Sequence, residues 1–279
     1  MPYIERRTVS VSGGNIELEV ARNDSIDCVV LCIHGWTLDQ HAFTGQLELA
    51  QNRVAVARYD RRGFGESALQ PNTTEELADI AALIECIAQP VILLGVSQGA
   101  KLALAAAMEN RNGCYGVILV GGLWQELPNR EAEEECIPFA DYAELWRAGN
   151  VDAFNAAWLS HPLMSRGLNP QQKAQLPALI SRYRGRDLAP GIDRAVPFVR
   201  ADLPRLGCKL LTLAGVFDTA GRQQQARLIA QEAGGEFDLV PGGHLCHATH
   251  APEFNARVTQ WLSDLAHESD GVQQIRTAL

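Results

Sequence analysis

No stretch of this sequence stays apolar for the ~18–20 residues that a helix needs to cross a bilayer; runs such as Val91–Leu94 have the length of a strand. A basic excess is missing too: Lys plus Arg number 24 against 33 Asp plus Glu, a net charge of -9. That argues against a general nucleic-acid binder, which needs a basic patch or stripe to meet phosphates, and against an anionic membrane surface as partner. The seven cysteines are odd in number and scattered, with no C-x-x-C. Neither a disulfide frame nor a zinc site is expected from them, and a reducing cytoplasm is the expected compartment. Met1 to Arg7 lacks a basic stretch leading into an apolar one, so no signal peptide is expected. There is no internal repeat and no low-complexity segment. There is no P-loop, and Gly63-Phe64-Gly65 lacks the third glycine of a dinucleotide fingerprint. The histidines at 244, 247 and 250 do not have the H-E-x-x-H spacing of a metal site. No metal and no cofactor are expected.

What is present is an ordinary globular balance over 279 residues, with 47% hydrophobic and 20% charged. A chain of that length can bury roughly three quarters of its unfolded surface in one core. Thr8–Val11, the turn Gly13-Gly14-Asn15 and Ile16–Ala21 read as a hairpin. Val29–Ile33 is a nearly continuous apolar run, which suits a strand covered on both faces. Val54–Tyr59, Val91–Leu94, Gly116–Val120, Leu210–Ala214 and Phe237–Val240 read as further strands. Helices fall between them. One is expected to open on a capping box of Thr73 and Glu76, and another follows at Leu102–Met108. A last helix has Pro252 in its first turn and Phe254, Val258, Trp261, Leu262 and Leu265 on one face. This alternation predicts a mostly parallel α/β sheet flanked by helices. Residues 123–200 break it, with aromatic residues, an acidic run from Glu131 to Glu135 and no clear strand. They are expected to form a helical lid on a core made of 1–122 and 201–279. The polar tail after His267 is expected to be loosely held.

Gly95-Val96-Ser97-Gln98-Gly99 joins a strand directly to a helix. A serine on that sharp turn is lifted clear of the sheet, and the flanking glycines remove side chains that would collide. The Gln98 backbone N–H then stands at a helix start, where it can stabilise an oxyanion. A serine nucleophile needs a base. His244 follows Pro241-Gly242-Gly243 just after a late strand, where loops at the C-terminal edge of a parallel sheet collect functional groups. His247 and His250 share its loop and are expected to be surface or supporting groups. Asp218, after Leu210–Ala214, would orient the base and complete the order Ser, Asp, His; Glu126 is the rival acid. The Trp36 backbone N–H, after Ile33-His34-Gly35, is the expected second oxyanion donor. His34 is expected to bond loop backbone.

His34-Gly35-Trp36, Asp60-Arg61-Arg62-Gly63-Phe64-Gly65-Glu66-Ser67, the Ser97 motif, Asp218 and Gly243-His244 together resemble the α/β-hydrolase superfamily over nearly the whole chain. The likeness is to its esterase, enol-lactonase, haloperoxidase-like and carbon–carbon-bond hydrolase branch. It implies Ser97 as nucleophile, His244 as base, Asp218 as orienting acid, Trp36 and Gln98 as oxyanion donors, and no cofactor. The expected activity is hydrolysis of a small-molecule acyl substrate, an ester or lactone, through an acyl-enzyme. The alternatives on the same fold are a slow ligand-binding receptor, a carbon–carbon-bond hydrolase and a cofactor-free oxygenase. Trp124, Trp146 and Trp158 would line an acyl pocket or form the lid's own core. Arg130, Arg147, Arg166 and Arg182 would bind a substrate carboxylate or stand as surface charges.

Overall fold

The computed structural model describes residues 2–51, 53–109, 113–129, 132–192 and 194–277, leaving aside the side chains of residue 134 and of 266–277. The chain runs β1 (Tyr3–Val11), β2 (Gly14–Arg22), β3 (Cys28–Ile33), β4 (Val54–Tyr59), α1 (Thr73–Ile87), β5 (Val91–Val96), α2 (Gln98–Glu109) and β6 (Cys114–Val120). Four helices follow, α3 (Phe139–Arg147), α4 (Val151–Ser160), α5 (Pro162–Ser165) and α6 (Pro170–Ile180). Then come β7 (Lys209–Gly215), α7 (Ala220–Ala233), β8 (Glu236–Val240), α8 (Cys246–Thr249) and α9 (Ala251–Thr277). The strands form one sheet in the order β1-β2-β4-β3-β5-β6-β7-β8. The β1–β2 and β2–β4 pairs are antiparallel, and every other pair is parallel.

The continuous apolar runs have a direct cause. Both faces of the parallel strands are covered, so successive residues alternate between two cores. Val29, Leu31, Ile33, Leu93 and Val117 pack under α1 and α2 with Leu77, Ile80, Leu102 and Ala103. Val30, Cys32, Ile92, Leu94 and Ile118 face the other way, onto Phe254, Val258 and Trp261 of α9. At about 1.5–3 kcal/mol for each fully buried aliphatic side chain, these two layers dominate the favourable side of folding. No described helix is long and apolar enough to cross a membrane.

The N-cap of α1 falls one residue before the Thr73 expected from the sequence. Asn72, in an extended conformation, caps α1 by accepting from the Glu75 N–H at 3.1 Å, and Thr73 lies inside the helix. Glu76 is not available to reach back. Its carboxylate takes two bonds from the buried Arg61 guanidinium, at 2.8 and 3.1 Å. Arg62 pairs likewise with Asp79. Both pairs hold the turn after β4 against α1.

Among the described residues there is no strand between β6 and β7. The helical insertion there has its own cluster, with Tyr142, Phe154, Trp158, Leu176, Ile180 and Tyr183, and it closes over Trp36, Leu38 and Phe64. The ends of the 123–200 stretch behave differently: Trp124, Leu127 and Val196 join the core beneath α2. Arg130, and the side chains of the tail after His267, lie outside the described residues.

Candidate functional site

Ser97 stands between β5 and α2 with φ of 55°, a left-handed conformation that costs a non-glycine residue of order 1–3 kcal/mol. Its neighbours hold it there. The Ser97 N–H donates to the Val120 carbonyl at 2.7 Å, and its own carbonyl accepts from Ala100 N–H at 3.0 Å. A Cβ on Gly95 would lie 2.3 Å from the Gly99 carbonyl oxygen, and one on Gly99 would lie 2.1 Å from that of Ile33. Both glycines are therefore required by backbone-to-backbone contact rather than by flexibility.

The loops after β7 and β8 are laced together. Val216 N–H donates to Val240 O, Phe217 N–H to Gly242 O, and Asp218 N–H to Gly215 O. This brings Asp218 and His244 into contact, both buried, with His244 Nδ1–H donating to Asp218 Oδ2 at 3.0 Å. The other Asp218 oxygen accepts from Thr219 N–H at 2.8 Å. Gly121 is the floor beneath the pair, one residue past the Val120 that anchors Ser97. A Cβ on Gly121 would lie 2.8 Å from His244 Nδ1 and 3.0 Å from Asp218 Oδ2. Gly121 is also at φ of 58°. Gly121→Ala is therefore expected to push the imidazole off Asp218 and lower kcat by about 10²-fold, the usual scale for a 1 Å misplacement. Steady-state kinetics check this, and unchanged kcat would contradict the geometry.

Gln98 is the first residue of α2, and Trp36 follows Gly35, whose own Cβ would lie 3.3 Å from that of Ser97. Neither the Trp36 nor the Gln98 backbone N–H has a hydrogen-bond partner among the described residues. Arg61 braces this corner, donating to His34 O and to Gln98 Oε1, both at 3.0 Å. Nothing in the sequence of the run from Asp60 signals that contact.

His34 does bond loop backbone. Arg61 N–H donates to its Nε2 at 3.1 Å, leaving Nδ1–H for Gly35 O at 2.9 Å. Burial, then the Arg61 charge, pulls its pKa down to about 3. Of the two alternatives expected for His247, a surface or a supporting group, the structure excludes the first: it is fully buried, packed against Phe43 and Phe254. Neither ring nitrogen has a partner among the described residues. Burial, then the His244 charge, lowers its pKa to about 3. The sequence around it gives no warning, because the helix α8 that turns it inward is only four residues long, too short to show a periodic pattern. His250 is half-buried against Thr249 and Gln172.

A histidine whose folded pKa is depressed takes its proton more readily when unfolded, so protonation favours unfolding. The contribution of His34 and His247 is complete above their ordinary value of 6.5 and is lost as pH falls from there through about 3. Thermal melts at pH 7 and below should show this loss. His247→Phe should flatten the fall, and an identical pH slope in wild type and variant would contradict it.

The rival acid Glu126 is exposed. Arg166 pairs with Glu135, Arg182 with Asp39, and Arg147 bonds Ala143 O. These arginines are thus engaged within the chain. Trp146 and Trp158 pack inside the insertion, on Phe154 and Tyr142 respectively. Trp124 is part of the main core against Phe198 and stands apart from that aromatic group. Lys101, one turn along α2 from Ser97, is half-buried and forms no ion pair among the described residues; burial lowers its pKa, with Glu126 opposing.

The sequence model of the alpha/beta hydrolase family matches residues 30–257. The chain is 26% identical over 238 residues to a 2-succinyl-6-hydroxy-2,4-cyclohexadiene-1-carboxylate synthase of Escherichia coli O157:H7, covering 81% of this chain and 93% of that one. Among solved structures it is similar to an esterase from Thermogutta terrifontis (TM-score 0.74, 23% identity, 94% of this chain and 99% of that one). It is also similar to the enol-lactonase from Burkholderia xenovorans (TM-score 0.74, 19% identity, 92% and 100%).

Proposed function

Because this chain belongs to the alpha/beta hydrolase family, we propose that it is a serine hydrolase that cleaves a small carboxylic ester or lactone through an acyl-enzyme. The observation that carries this reading is that the strained Ser97 turn is anchored on Val120, the residue before Gly121, and that Gly121 lies against the bonded pair of Asp218 and His244. Ser97 Oγ attacks the substrate carbonyl while His244 Nε2 accepts its proton. Asp218 holds the ring in the tautomer with Nδ1 protonated and stabilises the imidazolium. The Trp36 and Gln98 N–H groups receive the oxyanion. His244 then protonates the departing alcohol oxygen, and water repeats the sequence on the acyl-Ser97. The test is turnover of a panel of esters and lactones, with Ser97→Ala as the control. Turnover that persists unchanged in the control defeats the reading. Wild-type inactivity on the whole panel defeats it as well, and turns attention to ligand binding without turnover.

A second reading rests on the synthase relatives. The name of those relatives includes a carboxylate, and Lys101 is a half-buried cation one helical turn from Ser97 that forms no ion pair among the described residues. Under it the substrate is a small carboxylate-bearing molecule. Lys101→Gln would then raise KM for charged substrates while leaving neutral esters unaffected.

A further inference from the structure

We propose that the helical insertion positions the oxyanion hole, and that the hydrogen bond from Trp158 to Thr37 makes these two residues positioning residues for attack by Ser97. The proposal rests on the hydrolase reading above and adds to it what sets the second oxyanion donor in place.

Trp36 supplies that donor from its backbone, so the donor's direction depends on how the residues before and after Trp36 hold the chain. On one side is Gly35, whose Cα hydrogens face the Val96 carbonyl and Ser97 Cβ; a Cβ there would lie 3.2 and 3.3 Å from them. On the other side is Thr37, at φ of 61°. A β-branched residue in the left-handed region is a true outlier, and it persists only where the surroundings over-determine it. The Thr37 side chain is buried, and its Oγ1 accepts from Trp158 Nε1–H at 2.8 Å. Trp158 belongs to α4, more than a hundred residues along the chain, inside the insertion.

Two further ties act on the same loop from the same direction. Trp36 Nε1–H donates to Asp187 Oδ2 at 2.8 Å, and Tyr183 OH donates to the other Asp187 oxygen at 2.7 Å. Arg182 grips the buried Asp39 with two bonds at 2.8 and 2.9 Å. Three of the four residues from Trp36 to Asp39 are thus each held by a polar side chain of the insertion. The core offers the loop no comparable side-chain bond at Trp36 or Thr37 among the described residues. A surface lid needs no such connection. A segment that sets the torsions beside an oxyanion donor does.

Removing the Trp158–Thr37 bond should let Thr37 relax and swing the Trp36 N–H away from the developing oxyanion. The loss should stay below the roughly 10²–10³-fold that follows outright removal of a donor. Two assays report it: kcat and KM on p-nitrophenyl acetate, and the rate at which a small fluorophosphonate labels Ser97, followed by intact mass. The second also needs the oxyanion hole but no particular substrate. Trp158→Phe keeps a ring and loses the N–H. Thr37→Val keeps the branched shape and loses the acceptor. Each should lower kcat and labelling rate by about tenfold with little change in KM, and the double variant should be no slower than either single one. Thr37→Ser, which keeps the oxygen, should keep most of the rate. If Trp158→Phe does not fold, the contrast between Thr37→Val and Thr37→Ser decides alone. Wild-type rates in Thr37→Val, or equal losses in Thr37→Val and Thr37→Ser, overturn the proposal while the hydrolase reading stands. A wild-type protein that neither hydrolyses the ester nor takes the label overturns both.

Discussion

Ser97→Ala is expected to lower kcat for ester or lactone hydrolysis by about 10⁴–10⁶-fold and to leave the protein folded. The size follows from the division of labour at the site. His244 and the two N–H donors stay in place in the variant, and they can still hold a carbonyl and a water near it, but the covalent step is gone. What remains is the roughly 10³–10⁴-fold over water that an oxyanion hole and binding supply unaided. The fold should hardly notice. The bonds that fix residue 97 are made by its backbone, to Val120 and Ala100, and alanine keeps both. Alanine also bears the same φ of 55° at similar cost. Active-site titration with a fluorophosphonate, together with a thermal melt, separates the two effects: no label and an unchanged melting temperature are expected. A Ser97→Ala protein with full activity would end the assignment of Ser97 as nucleophile.

The strand segments along the chain and the Ser97 turn were legible because each is enforced by local chemistry. A run such as Val29–Ile33 has no polar face to offer solvent, so it must be covered twice. A serine between Gly95 and Gly99 is permitted where the Gly99 carbonyl and the Ile33 carbonyl crowd the turn. The positions of Asp218 and His244 just past strand ends were also legible, and a close backbone crossing at Gly215 and Gly242–Gly243 brings the two into contact. What escaped is long-range and carried by side chains. Glu76 reads as half of a capping box until Arg61, fifteen residues earlier, claims its carboxylate. Trp158 reads as an acyl-pocket or lid aromatic, and its indole N–H turns out to be bonded to Thr37. Periodicity carries no information about a bond between α4 and the loop after β3. The same holds for His247, whose burial depends on how α8 is pressed between Phe43 and Phe254.

His244→Ala is expected to be as inactive as Ser97→Ala, whereas His247→Phe and His250→Ala should keep kcat within a few-fold of wild type. The base must accept a proton on one nitrogen while the other is held by a carboxylate. Among the described residues only His244 of the three histidines has such a partner, Asp218 at 3.0 Å, with Gly121 clearing the space beneath it. His250 bonds Thr249 and Gln172, and its loss removes a brace near Gly242 and no part of the proton path. His247 is the instructive case. Its two ring nitrogens are buried without partners among the described residues, so a phenyl ring in its place removes two unsatisfied groups rather than two bonds. His247→Phe should therefore fold at least as well as wild type at neutral pH, whereas His247→Ala should lose roughly 2–5 kcal/mol through the cavity it opens between Phe43 and Phe254. Loss of rate in His247→Ala is then a matter of how much protein remains folded, and active-site titration corrects for it. Steady-state kinetics on His244→Ala, His247→Phe and His250→Ala, each expressed per titrated site or per folded molecule, decide the matter. An inactive His247→Phe or His250→Ala beside an active His244→Ala would move the base along the loop and detach Asp218 from the reaction.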